Sequence, residues 1–343
     1  MNPRLRNFFL AAEDRAAVGF PETPEEVARS LFAYFGYREP APGAVAARVR
    51  RERLLRVTRH GRLLPTRRGR RYLERAVEAY YEGAGMVQGA KSHAFRELCR
   101  RRQGLELCQH GTLTGAELAA LEEAVVRARP RLLVDLGCGV GEVGNRLARA
   151  AGARLVGVER SRSAVLYAAR RFAGPGSKAQ FYCMRMEDFD AGRTADRRSR
   201  PDFILLIDAL YWVEDPEAFL SRLLGLLAPG GTLACLLSEY ADTQRGPRTL
   251  APKETETGAA LHDVARQGSV PGRAASIEAV DFTEGERALW RDTPRQVASL
   301  QSRFEAEGRG YLARNLLRET AYLSRAVEKG EGARYLYLLR AGS

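Results

Sequence analysis

The sequence predicts an α/β fold, a doubly wound sheet of seven strands preceded by a mainly helical unit. Three observations predict it. Residues Arg131 to Gly141 read as an apolar strand that meets three closely spaced glycines and passes directly into a helical pattern. A second apolar stretch, Ala153 to Glu159, ends in an acid. Further strand patterns at Ala179 to Met184, Pro201 to Asp208 and Leu233 to Leu237 alternate with helical ones, which is the rhythm of βαβ units, and strand patterns at Ala275 to Phe282 and Arg334 to Arg340 bring the number to seven.

With 343 residues, 45% of them apolar, the chain has enough material for a core and for more than one domain. It has no run of eighteen apolar residues, and Met1-Asn2-Pro3-Arg4 lacks a signal-peptide core, so a cytoplasmic protein without membrane contact is expected. The five cysteines are odd in number and carry no C-x-x-C pairing, which predicts reduced thiols and no metal site. The net charge of +13 is concentrated: residues 48 to 71 hold eleven arginines and one acid, Glu52.

Taken in order, Pro24 to Tyr37 and Ala44 to Leu54 have helical spacing. Leu55 to Thr58 and Arg62 to Thr66 are short strands about a turn at His60-Gly61, and Thr66 caps another helix through Leu73. Helix, helix, two-stranded wing and helix is an order that resembles a winged-helix domain. That resemblance implies either nucleic-acid contact through segment 48–71 or a dimerisation or substrate-capping module. The second use is preferred because a cofactor domain follows. Tyr80 to Met86 interrupts the helical pattern, Ala94 to Arg101 resumes it, and a helix beginning near Thr114 runs to Arg127.

The central motif invites two readings. Gly139, Gly141 and Gly144 can be laid on the dinucleotide fingerprint G-x-G-x-x-G. Val134-Asp135-Leu136-Gly137-Cys138-Gly139-Val140-Gly141, with Asp135 two residues before the first glycine, instead resembles the first motif of class I S-adenosylmethionine-dependent methyltransferases, a seven-stranded Rossmann-like fold. The turn Leu227-Ala228-Pro229-Gly230-Gly231 matches a later motif of that family, where it stops a helix before a strand. The set favours a methyl donor over a dinucleotide.

The resemblance implies that S-adenosylmethionine is held by Asp135, by the loop residues Gly137, Cys138, Gly139 and Gly141, and by Glu159, whose carboxylate would accept the ribose hydroxyls, with Arg160 beside it. On the adenine side the chain departs from the family pattern: the matching positions are Arg185 and Met186, so Met186 packing or a shifted Glu187 would take the base. Asp208 and Tyr211 would face the methionine moiety or the acceptor. Plant-type O-methyltransferases carry a catalytic histidine about here, and this chain has Leu210-Tyr211-Trp212 instead. His110, in the segment before the Thr114 helix, and Tyr211 are therefore the candidates for orienting or deprotonating the acceptor.

The expected organisation is a winged-helix-like domain over 1–78, a helical linker or cap over 79–130, and a methyltransferase domain over 131–343. The last would contain a mobile lid about 241–274 and a helical insertion about 283–327. The expected partners are a small-molecule acceptor, from secondary metabolism, and a second copy of the chain. RNA or peptide methylation guided by segment 48–71 is the alternative.

Overall fold

The computed structural model describes residues 55–57, 63–67, 86–109, 111, 113–190, 200–210, 213, 215–240, 261, 276–310, 312–314, 316–317, 320 and 332–342. The strands expected around His60-Gly61 are present as β1 (Leu55–Val57) and β2 (Leu63–Pro65), paired antiparallel with Val57 opposite Leu63. The helices of the winged-helix order, and with them most of segment 48–71, lie outside the described residues, as does the lid except for Leu261.

From Met86 onward the elements are α1 (Met86–Ala90), α2 (His93–Gln103), α3 (Gly115–Ala128), β3 (Leu132–Leu136), α4 (Glu142–Ala150), β4 (Arg154–Glu159), α5 (Arg162–Phe172), β5 (Ala179–Cys183), β6 (Phe203–Ile207), α6 (Pro216–Leu226), β7 (Thr232–Tyr240), β8 (Ser276–Asp281), α7 (Thr283–Ser299), α8 (Gln301–Ala306) and β9 (Gly332–Arg340). Local chemistry sets most boundaries. Thr114 and Glu117 form a capping box at the start of α3, Ser161 caps α5, and Asp215 with Pro216 starts α6. The short α1 falls where the sequence pattern breaks. It is held by tertiary packing, since Met86 and Ala90 are buried against α2, α5 and the glycine loop.

Strands β3 to β9 form one sheet in the order β5-β4-β3-β6-β7-β9-β8. All neighbours are parallel except those involving β9, which runs antiparallel to both β7 and β8. The chain winds outward from β3 to β5, then returns to β6 on the other side of β3. That reversal opens a crevice at the carboxyl ends of β3 and β6.

The apolar runs reflect burial on both faces. Val134, Leu136, Val158, Ile204 and Leu206 share one core with Phe219, Leu220 and Leu223 of α6. The alternate residues Leu133, Leu155, Phe203 and Leu205 share the other with Leu118 and Leu121 of α3 and Leu147 of α4. A third core joins α1 and α2 to Val140 and Ala164 and to Val297, Leu300 and Phe304 of the insertion. Segments far apart in sequence thus build a cap beside the glycine loop. Glu307 ties it together, accepting from the Ser92 hydroxyl at 2.6 Å and from the backbone N–H of Ala94 at 2.9 Å.

Three expectations are adjusted. The fourth strand stops at Ile207 because Asp208 adopts φ 47°, a left-handed conformation that cannot continue a strand. Strand β7 extends to Tyr240 because β9 pairs with it along its whole length. The helical insertion breaks already at Leu300, between α7 and α8.

Candidate active site at the carboxyl ends of β3, β4 and β6

The loop between β3 and α4 is built from backbone that only glycine adopts readily: Gly137, Gly139 and Gly141 have φ 81°, 54° and 76°. The N–H groups of Gly137 and Cys138 both donate to the Val158 carbonyl, at 2.8 and 3.1 Å, so the loop hangs from the end of β4. Glu159 closes the arrangement. One carboxylate oxygen accepts from Gly139 N–H at 3.0 Å and the other from Ser161 N–H at 2.8 Å. A single acid therefore bridges the glycine loop and the start of α5.

Asp135 lies beneath this loop, buried on β3, and no hydrogen bond reaches its carboxylate among the described residues. Burial, and then the nearby Glu159 charge, pushes its pKa up to about 7. Gly144 makes room for it: a Cβ at that position would stand 2.2 Å from Asp135 Oδ2. Two carboxyl groups with one neighbourhood, one of them without a partner, form a site that gains from a cation and from hydroxyl donors. Cys138 is turned inward, toward Gly157, and its thiol pKa is raised by burial and by Asp135. Its side chain fills space beside Gly157. Arg160 is exposed at the rim.

After β5, Met186 begins a single 3₁₀ turn, Met186–Asp188, and packs half-buried against the main core. Glu187 is already engaged, accepting from Arg185 Nη2 at 2.6 Å.

Asp208 sits at the end of β6, where the sequence expected it, but its carboxylate is occupied. It pairs with Arg334 of β9, a fully buried guanidinium, through contacts of 2.8 and 3.3 Å. Arg334 also donates to Glu117 of α3 and, at 2.8 Å, to the Ser238 hydroxyl. Ser238 donates to Glu286, which also accepts from Trp290 Nε1 at 3.2 Å. Burial alone would lower the pKa of Arg334, yet Asp208, Glu117 and Glu286 raise it, while Glu286 is shifted upward by burial despite Arg334. This network holds α3, β6, β7, α7 and β9 together. The Asp208 carboxylate is part of this network.

A second buried ion pair anchors the cap. Arg96 of α2 contacts both oxygens of Glu142, the first residue of α4, at 2.5 and 3.2 Å. It also donates to the Ala90 carbonyl at 2.7 Å, and Glu142 accepts from Cys108 N–H at 2.7 Å. The segment that leads to His110 is thereby tied to the glycine loop. His110 and Tyr211 themselves lie outside the described residues. A groove of about 460 Å³ between α2, α3 and α4, lined by Gln103, Leu118 and Arg146 among others, contains none of the site residues.

Sequence reasoning missed Arg334, Glu117, Glu142 and Arg96. Arg334, set inside the apolar strand Gly332–Arg340, was the one available signal. The others sit on helices whose charged residues read as solvent-facing.

Comparison with known proteins places this geometry. A family model described as a methyltransferase domain matches residues 97–267. The chain is 37% identical over 131 residues to a trans-aconitate 2-methyltransferase of Delftia acidovorans, covering 38% of this chain and 45% of that protein. It is 37% identical over 186 residues to a protein of the same description from Methylobacterium radiotolerans, covering 52% of this chain and 66% of the relative. The chain thus spans less than two thirds of the length of these curated relatives. Among solved structures, the cyclopropane synthase MmaA2 of Mycobacterium tuberculosis shares the fold at 16% identity, with a TM-score of 0.50, covering 66% of this chain and 84% of that one. With the strand order, the glycine loop and the acid closing β4, these matches identify the chain as carrying a class I S-adenosylmethionine-dependent methyltransferase domain.

Proposed function

We propose that this protein transfers a methyl group from S-adenosylmethionine to an oxygen, nitrogen or carbon of a small-molecule acceptor. The observation that carries the reading is Asp135, a buried carboxyl that no hydrogen bond reaches among the described residues, next to Glu159 and under a glycine loop at the carboxyl ends of the strands. The donor would bring an ammonium group, a sulfonium and two ribose hydroxyls to a site with two carboxyl groups, Asp135 and Glu159. Asp135 is suited to the positive end. Glu159, an acid at the end of β4 whose two oxygens accept from Gly139 N–H and Ser161 N–H, is suited to the hydroxyl end. The backbone of Gly137, Cys138, Gly139 and Gly141 allows close approach, and Arg160, Met186 and Glu187 border the base.

When bound, the sulfonium supplies an already activated methyl group. The chain's own task is then to align the reactants, exclude water and accept a proton where the acceptor carries one. The cap formed by α1, α2 and the 297–313 region suits exclusion, and His110 and Tyr211 are the proposed acceptor-side residues. A small acceptor, of the kind secondary metabolism supplies, is supported over RNA or a peptide by the activities ascribed to the relatives, two of which are described as acting on trans-aconitate. Residues 1–78 are proposed as a dimerisation or capping module. No described helix is long and apolar enough to cross a membrane.

The test is isothermal titration with S-adenosylmethionine and its demethylated product. Micromolar binding of both to the wild type, and loss of both in Asp135→Asn combined with Glu159→Gln, is the expected result. A wild type that binds neither would end this reading.

A further inference from the structure

The 3₁₀ turn Met186–Asp188 is one turn long, too short to hold itself, and stands on the link between β5 and β6. Its own bonds are Asp188 N–H to the Arg185 carbonyl at 3.1 Å and Phe189 N–H to the Met186 carbonyl at 3.2 Å. What holds it otherwise comes from another element. Arg222, on α6, directs its guanidinium into the turn and donates to three of its carbonyls: Phe189 at 2.5 Å, Glu187 at 3.0 Å and Met186 at 3.4 Å. The helix beneath is rigid, because Phe219, Leu220, Leu223 and Leu224 of α6 are packed into the main core. The guanidinium also stacks on the ring of Phe219, 5.3 Å from its centroid, which limits its swing.

Resting on the cofactor reading above, we propose that Arg222 is the positioning residue of the base pocket, acting through the Met186–Asp188 turn to set how the adenine of the donor is read. The side chain spends its donors on carbonyls and offers the base no charge. Its effect is therefore on the placement of Met186 and of the backbone polar groups of the turn. A planar fork can serve three carbonyls at once, whereas the single ammonium of lysine cannot hold all three in the same geometry. Arg222→Lys should thus resemble Arg222→Met more than it resembles the wild type. This separates a geometric role from a merely electrostatic one.

The experiment is isothermal titration of wild type, R222M and R222K with S-adenosylhomocysteine and with its hypoxanthine analogue, in which only the base is changed. The wild type should prefer the adenine ligand. R222M should weaken the adenine ligand about tenfold, the scale of losing hydrogen bonds to a charged donor, and bring the two ligands within about twofold of each other. Amide hydrogen exchange at residues 186–189 should accelerate in both variants, and R222K carries the test should R222M fail to fold. A wild type that does not distinguish the bases, or variants that keep the wild-type preference, would overturn the proposal. A wild type that binds neither ligand would instead refute the cofactor reading on which it rests.

Discussion

Arg334 and Asp208 come from strands that are not neighbours in the sheet, yet the two oxygens of the aspartate meet the two terminal nitrogens of the guanidinium at 2.8 and 3.3 Å. The pair bridges across β7, whose Ser238 donates its own hydroxyl between them and Glu286. The left-handed backbone of Asp208 lets its carboxylate turn back to reach β9.

Removing the guanidinium should be costly because three carboxyl groups, Asp208, Glu117 and Glu286, would lose their common counter-charge. Arg334→Leu is expected to destabilise the protein by about 3–5 kcal/mol in urea unfolding. Adding Glu117→Gln and Asp208→Asn to that variant should recover part of the loss. A loss below about 1 kcal/mol for Arg334→Leu would mean that the network does not support the framework.

Asp135 makes both affinity and stability depend on pH. Its folded-state pKa of about 7 lies above the ordinary 3.8, so the folded protein keeps a proton that the unfolded chain has already released. The stability it contributes is present below pH 4 and is lost as pH rises toward 7. A ligand that places its ammonium group beside Asp135 reverses the preference. Affinity for S-adenosylhomocysteine should rise by up to about tenfold per pH unit below 7 and level off above it, with a proton released on binding near pH 6.5. Titrations in buffers of different ionisation enthalpy measure that release, and Asp135→Asn should abolish it.

Gly144 lies inside α4, where alanine ordinarily strengthens a helix. Here the added methyl would stand 2.2 Å from Asp135 Oδ2 and 3.0 Å from its carboxyl carbon. Gly144→Ala should therefore destabilise by about 2 kcal/mol, the scale of overpacking, and weaken donor binding together with it. Thermal unfolding with and without S-adenosylhomocysteine reads both effects; a stabilised variant with unchanged affinity would contradict the packing argument.

His110 and Tyr211 are proposed on the acceptor side, so their phenylalanine variants should lower turnover at least about tenfold while changing the affinity for S-adenosylhomocysteine less than about twofold. Equal losses in both quantities would remove them from that role. The measurement is a single-turnover assay against a panel of small carboxylate, phenol and amine acceptors.

The sequence by itself determined the sheet and the donor loop. Apolar runs at Leu132–Leu136, Arg154–Glu159 and Phe203–Ile207, a glycine triplet and a helix stop at Pro229-Gly230 are local patterns, and local patterns specify strands, turns and the acid at the end of β4. It also placed Asp135 and Glu159 correctly at neighbouring strand ends, because parallel pairing follows from the alternation of strands and helices. Only the tertiary structure decided what the charges do. Asp208, expected at the end of its strand, is paired with Arg334, 126 positions away. Arg96 and Glu142, on different helices, form a buried clamp, and Arg222 of α6 holds a turn that precedes it in the chain. The reversal of β9, and the joining of α1 and α2 with the 297–313 region into one cap, depend on contacts between distant segments. Hydrophobic periodicity records which face of an element is buried. It carries no record of which distant charge will neutralise a buried one, and that choice made the buried ion pairs of this protein.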